Sequence, residues 1–423
     1  SPKKKILIKY YYERIRRDVT NFIKWMLLAI LTGLVVGGAS SAFAACISAA
    51  TEYRNSHLWV FLCLPLAGIV IVFMYERLGR QDGGTNQVLS TIKSKDNVPF
   101  ISAPLIFIST LLTHLTGGSA GREGASIQFG GSIGSWLAKL VHLDETDHHV
   151  MIMCGMSAAF AAVFGTPMAA AVFSMEVVSV GIMYYAALVP CVIASIIASK
   201  FAAGFGINPE SFHVVNIPEL TIETGLKMVL VAVACAAISI IFCMALQSVS
   251  KLYAKFLKNP YIRIVAASAI IIVITLFLRT SDYMGAGNNL IELAVENGQA
   301  RPLDFFWKLV LTALTMRAGF RGGEIVPSFC IGATFGCIMG HLIGLSPSIC
   351  AAAGMAALFC GVTNCPITSI LIAFELFGFR GASYYLIAVS ISYAVSGYYG
   401  LYKDQTIVYS KYKAKYINRH TRF

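Results

Sequence analysis

The chain contains stretches that are too long and too apolar to lie in water. Residues Ile325–Phe374 include no Asp, Glu, Lys or Arg, and Trp25–Thr51 and Val177–Ser199 are also free of these residues. A membrane-spanning helix needs about 20 mainly apolar residues. Only 13% of the chain is charged, whereas soluble domains contain roughly 25% charged residues. These features predict an all-α polytopic membrane protein with roughly ten or more helices in a lipid bilayer.

Basic residues cluster before the first apolar stretch and after the last one, and the net charge is +12. Basic segments next to membrane spans stay on the cytoplasmic side, so we predict that both termini are cytoplasmic and that the protein lies in the cell membrane. Residues 1–20 are predicted to form a basic helix on anionic lipid, and residues 403–423 a basic tail. This distribution argues against a nucleic-acid partner.

Three landmarks recur in the same order in the two halves of the chain. Asn86 and Asn289 follow similar glycine-containing segments, and GGSIG at residues 130–134 resembles GATFG at residues 332–336. A proline also precedes a glutamate by nine residues in each half. Ordered recurrence of this kind indicates a duplication, with one membrane repeat over residues 21–210 and a second over 211–402. Duplicated halves with a substrate site at the midplane are typical of transporters.

Breaks that contain glycine or proline interrupt the apolar stretches in both halves. They lie at residues 83–84, 117–124, 165–167, 319–327 and 363–366. A helix that begins at such a break inside the membrane presents free backbone N–H groups and the positive end of its dipole. Several helix starts that converge on one point predict an anion site at the midplane of the membrane.

The segment GGSAGREGASIQFGG, at residues 117–131, places Arg122 and Glu123 inside an apolar region. A charge near the middle of a bilayer costs about 3 kcal/mol, so these two residues need a functional or structural reason. We predict that Glu123 competes with the anion for the same N–H donors and titrates, because burial favours its neutral form while the donors and Arg122 favour the carboxylate. Adjacent helical residues do not face one another, so Arg122 is expected to act as an electrostatic support and not as a direct partner.

The GREG segment at residues 121–124, together with GGEIVP at residues 322–327, resembles the CLC family of chloride channels and anion/proton antiporters. The resemblance extends from about Trp25 to Tyr402. It implies an inverted repeat of broken and tilted helices, a homodimer with one anion pathway per subunit, and Glu123 as the gating and proton-carrying glutamate. The anion-binding residues that it implies are Gly84, Thr85, Asn86, Arg122, Gly124, Ile325, Val326 and Tyr402, with Tyr409 as the alternative tyrosine.

Departures from the family pattern indicate its fluoride/proton antiporter branch. GREGASIQFGG is similar to the GREGxxxQxGG pattern of that branch, and Val177 stands where chloride/proton exchangers have an inner proton-transfer glutamate. Fluoride is small and strongly hydrated, so it needs compact hydrogen-bond donors when it is buried. Thr85, Asn86 and Tyr402 supply donors of this type. We therefore predict a secondary active transporter that exports fluoride in exchange for protons.

Two alternatives to fluoride/proton antiport remain at this level. A chloride channel or a chloride/proton antiporter fits the CLC resemblance, and the absence of the inner glutamate fits a passive channel equally well. An intramembrane enzyme is not predicted, because the chain has no GxSxG, HExxH or paired-Asp arrangement. The eleven cysteines show no metal-ligand spacing, so neither a metal nor a cofactor is predicted.

Glu176 and Glu375 end apolar stretches at equivalent positions in the two repeats. Each could relay protons or could stabilise a helix end. A proton relay is needed in only one half, so the symmetry of the pair favours the structural role, with Glu176 as the weaker second candidate for proton transfer.

Overall fold

The computed structural model describes residues 2–79, 84–94 and 97–421, with side chains from residue 9 onward. Gly83 and the side chains of Lys3, Lys4 and Lys5 lie outside the described residues. Helices dominate the described part of the chain. Those of the first half are α1 Pro2–Ser56, α2 Leu64–Leu78, α3 Thr85–Thr91, α4 Ser102–Leu115, α5 Glu123–Leu140, α6 Glu145–Phe164, α7 Pro167–Glu176 and α8 Leu188–Gly204. Those of the second half are α9 Ile222–Phe256, α10 Pro260–Leu278, α11 Asn288–Glu296, α12 Asp304–Ala318, α13 Ile325–Ile343, α14 Pro347–Thr363, α15 Pro366–Phe377 and α16 Ala382–Val395.

Within the described residues, the two sets of eight helices follow the same order. In each set a long first helix is followed by a second helix, a short third helix and a fourth helix. A break then separates the fourth helix from the fifth. The short helices α3 and α11 both begin after a glycine with positive φ, Gly84 at 70° and Gly287 at 94°. This order agrees with a duplication, and the boundaries 21–210 and 211–402 stay a prediction. By length and composition, seven helices in the described ranges could cross a membrane.

The ends of the chain differ in detail from the sequence-based expectation. The predicted N-terminal helix over residues 1–20 has no boundary at residue 20, since α1 continues without a break to Ser56. Near the other end, three short strands form a sheet that the sequence did not predict: β1 Ser179–Val180, β2 Thr406–Tyr409 and β3 Tyr416–His420. Strand β2 lies in the middle, parallel to β1 and antiparallel to β3.

The same device ends one helix and starts the next in both repeats. Helix α6 is capped at its C-terminus by Gly165 and α14 by Asn364, and both capping residues have the left-handed conformation. A proline, Pro167 or Pro366, then opens the following helix. Proline fits the first turn of a helix because its missing N–H has no intrahelical acceptor there. The 50-residue charge-free stretch therefore folds as three helices, α13, α14 and α15.

Glu176 and Glu375 each bind the helix start of the opposite repeat. The Glu176 carboxylate accepts hydrogen bonds from the backbone N–H groups of Ile367 and Thr368, at 3.1 and 2.9 Å. The Glu375 carboxylate accepts from those of Met168 and Ala169, at 2.9 Å each. A carboxylate at a helix N-terminus satisfies free donors and interacts favourably with the dipole. This reciprocal capping joins α7 to α15 and supports the structural interpretation of both glutamates.

An aromatic cluster packs between the two repeats. Phe164 stacks on Phe329 with ring centroids 5.6 Å apart, and Phe173 lies 6.2 Å from Phe359. All four side chains are buried. Buried aromatic rings contribute large apolar contact areas, so this cluster fixes the position of α6 and α7 against α13 and α14.

Contacts at one end of the helical bundle connect the two terminal regions. Lys24 of α1 pairs with Asp147 of α6, and His149 of α6 contacts the carbonyl of Ser94 at 3.0 Å. Next to Ser94, Lys93 donates a hydrogen bond of 2.7 Å to Thr406 of β2. The N-terminal part of α1 and the C-terminal sheet therefore share this end of the molecule.

Candidate functional site

The two glycine-rich loops that precede α5 and α13 are joined directly through their backbones. Gly121 N–H donates to the carbonyl of Gly323 at 2.8 Å, and Gly323 N–H donates to the carbonyl of Gly121 at 2.7 Å. The first residues of α5 and α13 follow these glycines by two positions. The starts of the two helices, one from each half, therefore meet as the sequence predicted.

The crossing of these loops leaves no room for side chains. A Cβ atom on Gly323 would lie 2.5 Å from the nitrogen of Gly124, and a Cβ on Gly124 would lie 2.7 Å from the Cα of Gly323. A Cβ on Gly121 would lie 3.0 Å from Glu123 Oε2 and 3.3 Å from the Cβ of Val326. The Glu123 carboxylate thus lies beside the point where the two helix starts approach each other.

Glu123 is buried, with 1% of its surface exposed, and it is bound by its neighbour. Its Oε2 accepts the backbone N–H of Arg122 at 3.0 Å, and its Oε1 lies 3.4 Å from Arg122 Nε. The expectation that these two side chains do not contact was wrong. Arg122 is the residue before the first turn of α5, so the rule for adjacent residues inside a helix does not apply to it.

A cavity of about 680 Å³, here called the gate cavity, reaches this carboxylate. Its lining includes Glu123, Arg122, Arg54, His114 and Asn288. The C-terminal end of α1, from Ile47 to Ser56, also lines it, so the cavity lies more than 20 residues along α1 from Lys24.

A second cavity of about 180 Å³, here called the tyrosine cavity, contains most of the other predicted anion-binding residues. Four of them line it, namely Gly84, Thr85, Asn86 and Tyr402. Tyr402 is 5% exposed, whereas the alternative, Tyr409, is 44% exposed on strand β2 and does not line this cavity. The geometry therefore favours Tyr402 as the pathway tyrosine.

The remaining predicted residues lie between the two cavities. Gly124, Ile325 and Val326 are buried in the first turns of α5 and α13, and none of them lines either cavity. The hydroxyl of Thr85 lies 3.5 Å from the carbonyl of Gly124. The predicted site is thus divided into a gate cavity, a tyrosine cavity and a partition made of two helix starts.

Cationic side chains give the tyrosine cavity a positive lining. Arg317 and Arg321 line it together with Glu324, which is the one acidic residue among the described residues of its lining. Arg317 Nη2 lies 3.5 Å from Glu324 Oε1, and the Arg321 guanidinium lies 3.9 Å from the centre of the Tyr75 ring. Positive potential of this kind raises the local concentration of small anions.

Sequence reasoning missed two polar residues of this region. Gln128 lines the tyrosine cavity, and its polar side chain within the charge-free part of α5 was an available signal. Glu210 lies in the irregular segment between α8 and α9, with its Oε1 3.6 Å from Arg122 Nη2. The irregular segment contains two glutamates, Glu210 and Glu219, and no local pattern distinguishes them, because the position of each side chain depends on the tertiary fold. Within residues 2–79, 84–94 and 97–421, no cluster of His, Cys, Asp or Glu could hold a metal ion.

Comparison with known proteins identifies the family of this architecture. Residues 67–397 match the voltage-gated chloride channel family. The chain belongs to the CLC family.

Alignments with related proteins cover most of the chain. A chloride/fluoride channel protein of Pseudomonas syringae is 33% identical over 397 residues, which cover 92% of this chain and 88% of that protein. The H(+)/Cl(-) exchange transporter ClcA of Vibrio cholerae is 25% identical and covers 86% of this chain and 83% of its own length. Among solved structures, a CLC-type fluoride/proton antiporter has a TM-score of 0.87 at 32% identity, covering 91% of this chain and 98% of that chain. The CLC-like fold predicted from the sequence is thereby confirmed.

Proposed function

We propose that this CLC protein is a secondary active transporter that exports fluoride in exchange for protons. The observation that supports it most is the buried carboxylate of Glu123, which lies where the helix starts of both repeats meet and lines a cavity on one side of the partition. The 33% identical relative is described as a chloride/fluoride channel protein. The 32% identical structure is that of a fluoride/proton antiporter.

Anion binding in this proposal depends on compact donors at the partition. The free N–H groups at the starts of α5 and α13 point out of the first helical turns, and the helix dipoles favour negative charge there. On the side of the tyrosine cavity, Thr85, Asn86 and Tyr402 add hydroxyl and amide donors. Such donors replace the water molecules that a small, strongly hydrated anion loses on entry.

Proton exchange in this proposal follows from competition at the same donors. As a carboxylate, Glu123 accepts the N–H of Arg122 and lies beside the first turn of α13. A proton that arrives through the gate cavity neutralises Glu123 and weakens its attraction to the N–H donors. A fluoride ion from the tyrosine cavity then takes those donors. Fluoride then leaves through the gate cavity. Glu123 releases its proton toward the tyrosine cavity, so the proton and the fluoride ion cross the protein in opposite directions.

The membrane setting of the proposal uses the arrangement of the termini. We propose that both termini face the cytoplasm of the cell, since basic flanks stay inside and the two terminal regions share one end of the bundle. The tyrosine cavity then opens inward and the gate cavity outward. As the family resemblance implies, the functional unit is a homodimer with one pathway per subunit.

A passive anion channel is the second candidate. Val177 is fully buried and apolar where an inner proton-transfer group would be needed. Glu176, the neighbouring carboxylate, is occupied by the cap of α15. Neither residue supplies a free proton acceptor on the cytoplasmic side, which is a feature that favours uncoupled flow.

Flux through sealed proteoliposomes distinguishes the two candidates. Vesicles containing the purified protein are loaded with fluoride or chloride, and the external anion concentration and pH are recorded after dilution. Antiport predicts that an outward fluoride gradient drives protons inward against their own gradient and that chloride does so poorly. Fluoride release without any proton movement would identify a channel, and uphill proton movement with chloride alone would identify a chloride/proton antiporter.

A further inference from the structure

Glu210 is a partly buried carboxylate for which the sequence predicts no role. It lies in the segment between α8 and α9, outside both repeats' helices, with 16% of its side chain exposed. Its backbone N–H contacts the carbonyl of Phe164 at 3.5 Å, and the nearby Pro209 packs against Gly165. The linker is therefore fixed against the end of α6, and this fixes the direction in which the Glu210 side chain extends.

The Glu210 side chain connects the first repeat to the second. Its Oε1 lies 3.6 Å from Arg122 Nη2 and accepts a hydrogen bond of 3.0 Å from Asn288 Nδ2 at the start of α11. Arg122 uses its other nitrogens differently, with Nε toward Glu123 and Nη1 donating to Ser48 at 3.0 Å. One guanidinium is thus divided between two carboxylates.

The charge count at this cluster is uneven. Two ionised carboxylates against one arginine leave a net negative charge in a poorly solvated site, and like charges disfavour simultaneous ionisation. The pKa of Glu210 is raised to about 7, first by burial and then by the neighbouring Glu123, against the opposing effects of Arg122 and of the hydrogen bond from Asn288. Glu123 and Glu210 together therefore carry close to one negative charge while both carboxylates lie beside the Arg122 guanidinium.

We propose that Glu210 is a positioning residue of the antiport, which holds Arg122 and sets the pH at which Glu123 takes up its proton. The proposal rests on the proposed function, since Glu123 must change its protonation during transport. While Glu123 is ionised, the negative charge of Glu210 offsets part of the positive potential that Arg122 exerts on the Glu123 carboxylate. When Glu123 is protonated or moves away, Glu210 keeps Arg122 neutralised at the gate cavity.

Among the described residues, the other charged groups that line the gate cavity form no ion pair with Glu123, Glu210 or Arg122. Glu52 and Arg54 of α1, His114 of α4 and Asp282 from the loop before α11 line the same cavity. Arg54 donates to the carbonyl of His114 and to Asn55, and Asp282 pairs with Arg301. Glu52 therefore offers a matched control, because it adds one negative charge to the cavity and has no ion pair with Arg122.

Infrared titration of the gating carboxyl tests the proposal without requiring transport. The C=O band of protonated Glu123, identified by its loss in E123Q, is followed against pH in the purified wild type, E210Q, E210D and E52Q. Loss of the Glu210 charge leaves Arg122 to stabilise the Glu123 carboxylate alone. We therefore expect the protonation midpoint of Glu123 to fall by about one pH unit in E210Q, by less in E210D, and not in E52Q.

The outcomes separate this inference from the proposed function. An unchanged midpoint in E210Q, or in E210D if E210Q does not fold, would overturn the role of Glu210 whatever the flux assays give. An equal shift in E52Q would also overturn it, because a general cavity charge would then be responsible. Absence of fluoride-driven proton movement in the wild type would instead refute the antiport and leave the titration result standing.

Discussion

Replacing Glu123 with glutamine is expected to abolish proton movement while fluoride still passes through the protein. Glutamine keeps the size of the side chain and removes its titratable charge, so the group can no longer carry a proton between the two cavities. In proteoliposomes with a fluoride gradient, proton uptake by E123Q should fall to the level of protein-free vesicles. A residual rate below about one per cent corresponds to a rise of more than about 2.7 kcal/mol in the barrier for proton movement.

The matched control for this prediction is Glu52→Gln. Glu52 lines the same gate cavity but lies on α1 and away from the meeting point of α5 and α13. E52Q should keep the wild-type ratio of protons to fluoride. If E123Q continues to drive protons uphill, the gate has been assigned to the wrong residue.

Substitution of Gly323 by alanine is expected to cause a large loss of fluoride transport. The added Cβ would lie 2.5 Å from the backbone nitrogen and 2.6 Å from the Cα of Gly124, and neither backbone atom can rotate away as a flexible side chain would. Overpacking of a tight contact costs about 1–3 kcal/mol. Since each 1.4 kcal/mol corresponds to a factor of about ten, fluoride flux should fall about tenfold or more as the two helix starts separate.

Gly204→Ala provides the matched control for Gly323→Ala. Gly204 ends α8 and a Cβ added there would meet no heavy atom within 4 Å. The fluoride flux and the melting temperature of the Gly204→Ala variant should equal those of the wild type. Wild-type fluoride flux in G323A would show that close contact between the two loops is not needed for the pathway.

The sequence predicts the features that depend on local pattern and composition. Charge-free runs indicated the membrane helices, and the proline that precedes each of Glu176 and Glu375 marked equivalent helix starts. The glycines around Arg122 and around Glu324 indicated breaks, because only glycine permits two backbones to approach so closely. The meeting of α5 and α13 followed from the order of these signals in the two halves.

Features that depend on distant contacts were not predictable from the sequence. The position of Glu210 beside Arg122 requires the linker to pack on the end of α6, and no local pattern encodes that packing. The sheet formed by β1 and β2 joins strands more than 200 residues apart, and β1 is only two residues long. The contact between Arg122 and Glu123 arises because Arg122 stands just before the first turn of α5, and a glycine-rich segment does not by itself fix the residue at which a helix begins.

The most direct measurement of competition between fluoride and the gate is calorimetric titration of fluoride into the purified wild type and E123Q at several pH values. If the amide donors at the starts of α5 and α13 hold the anion and Glu123 occupies them as a carboxylate, wild-type affinity rises as the pH is lowered. E123Q should then bind fluoride at least as tightly as the acidified wild type, with little dependence on pH. Equal affinities with the same pH dependence in both proteins would contradict a shared site.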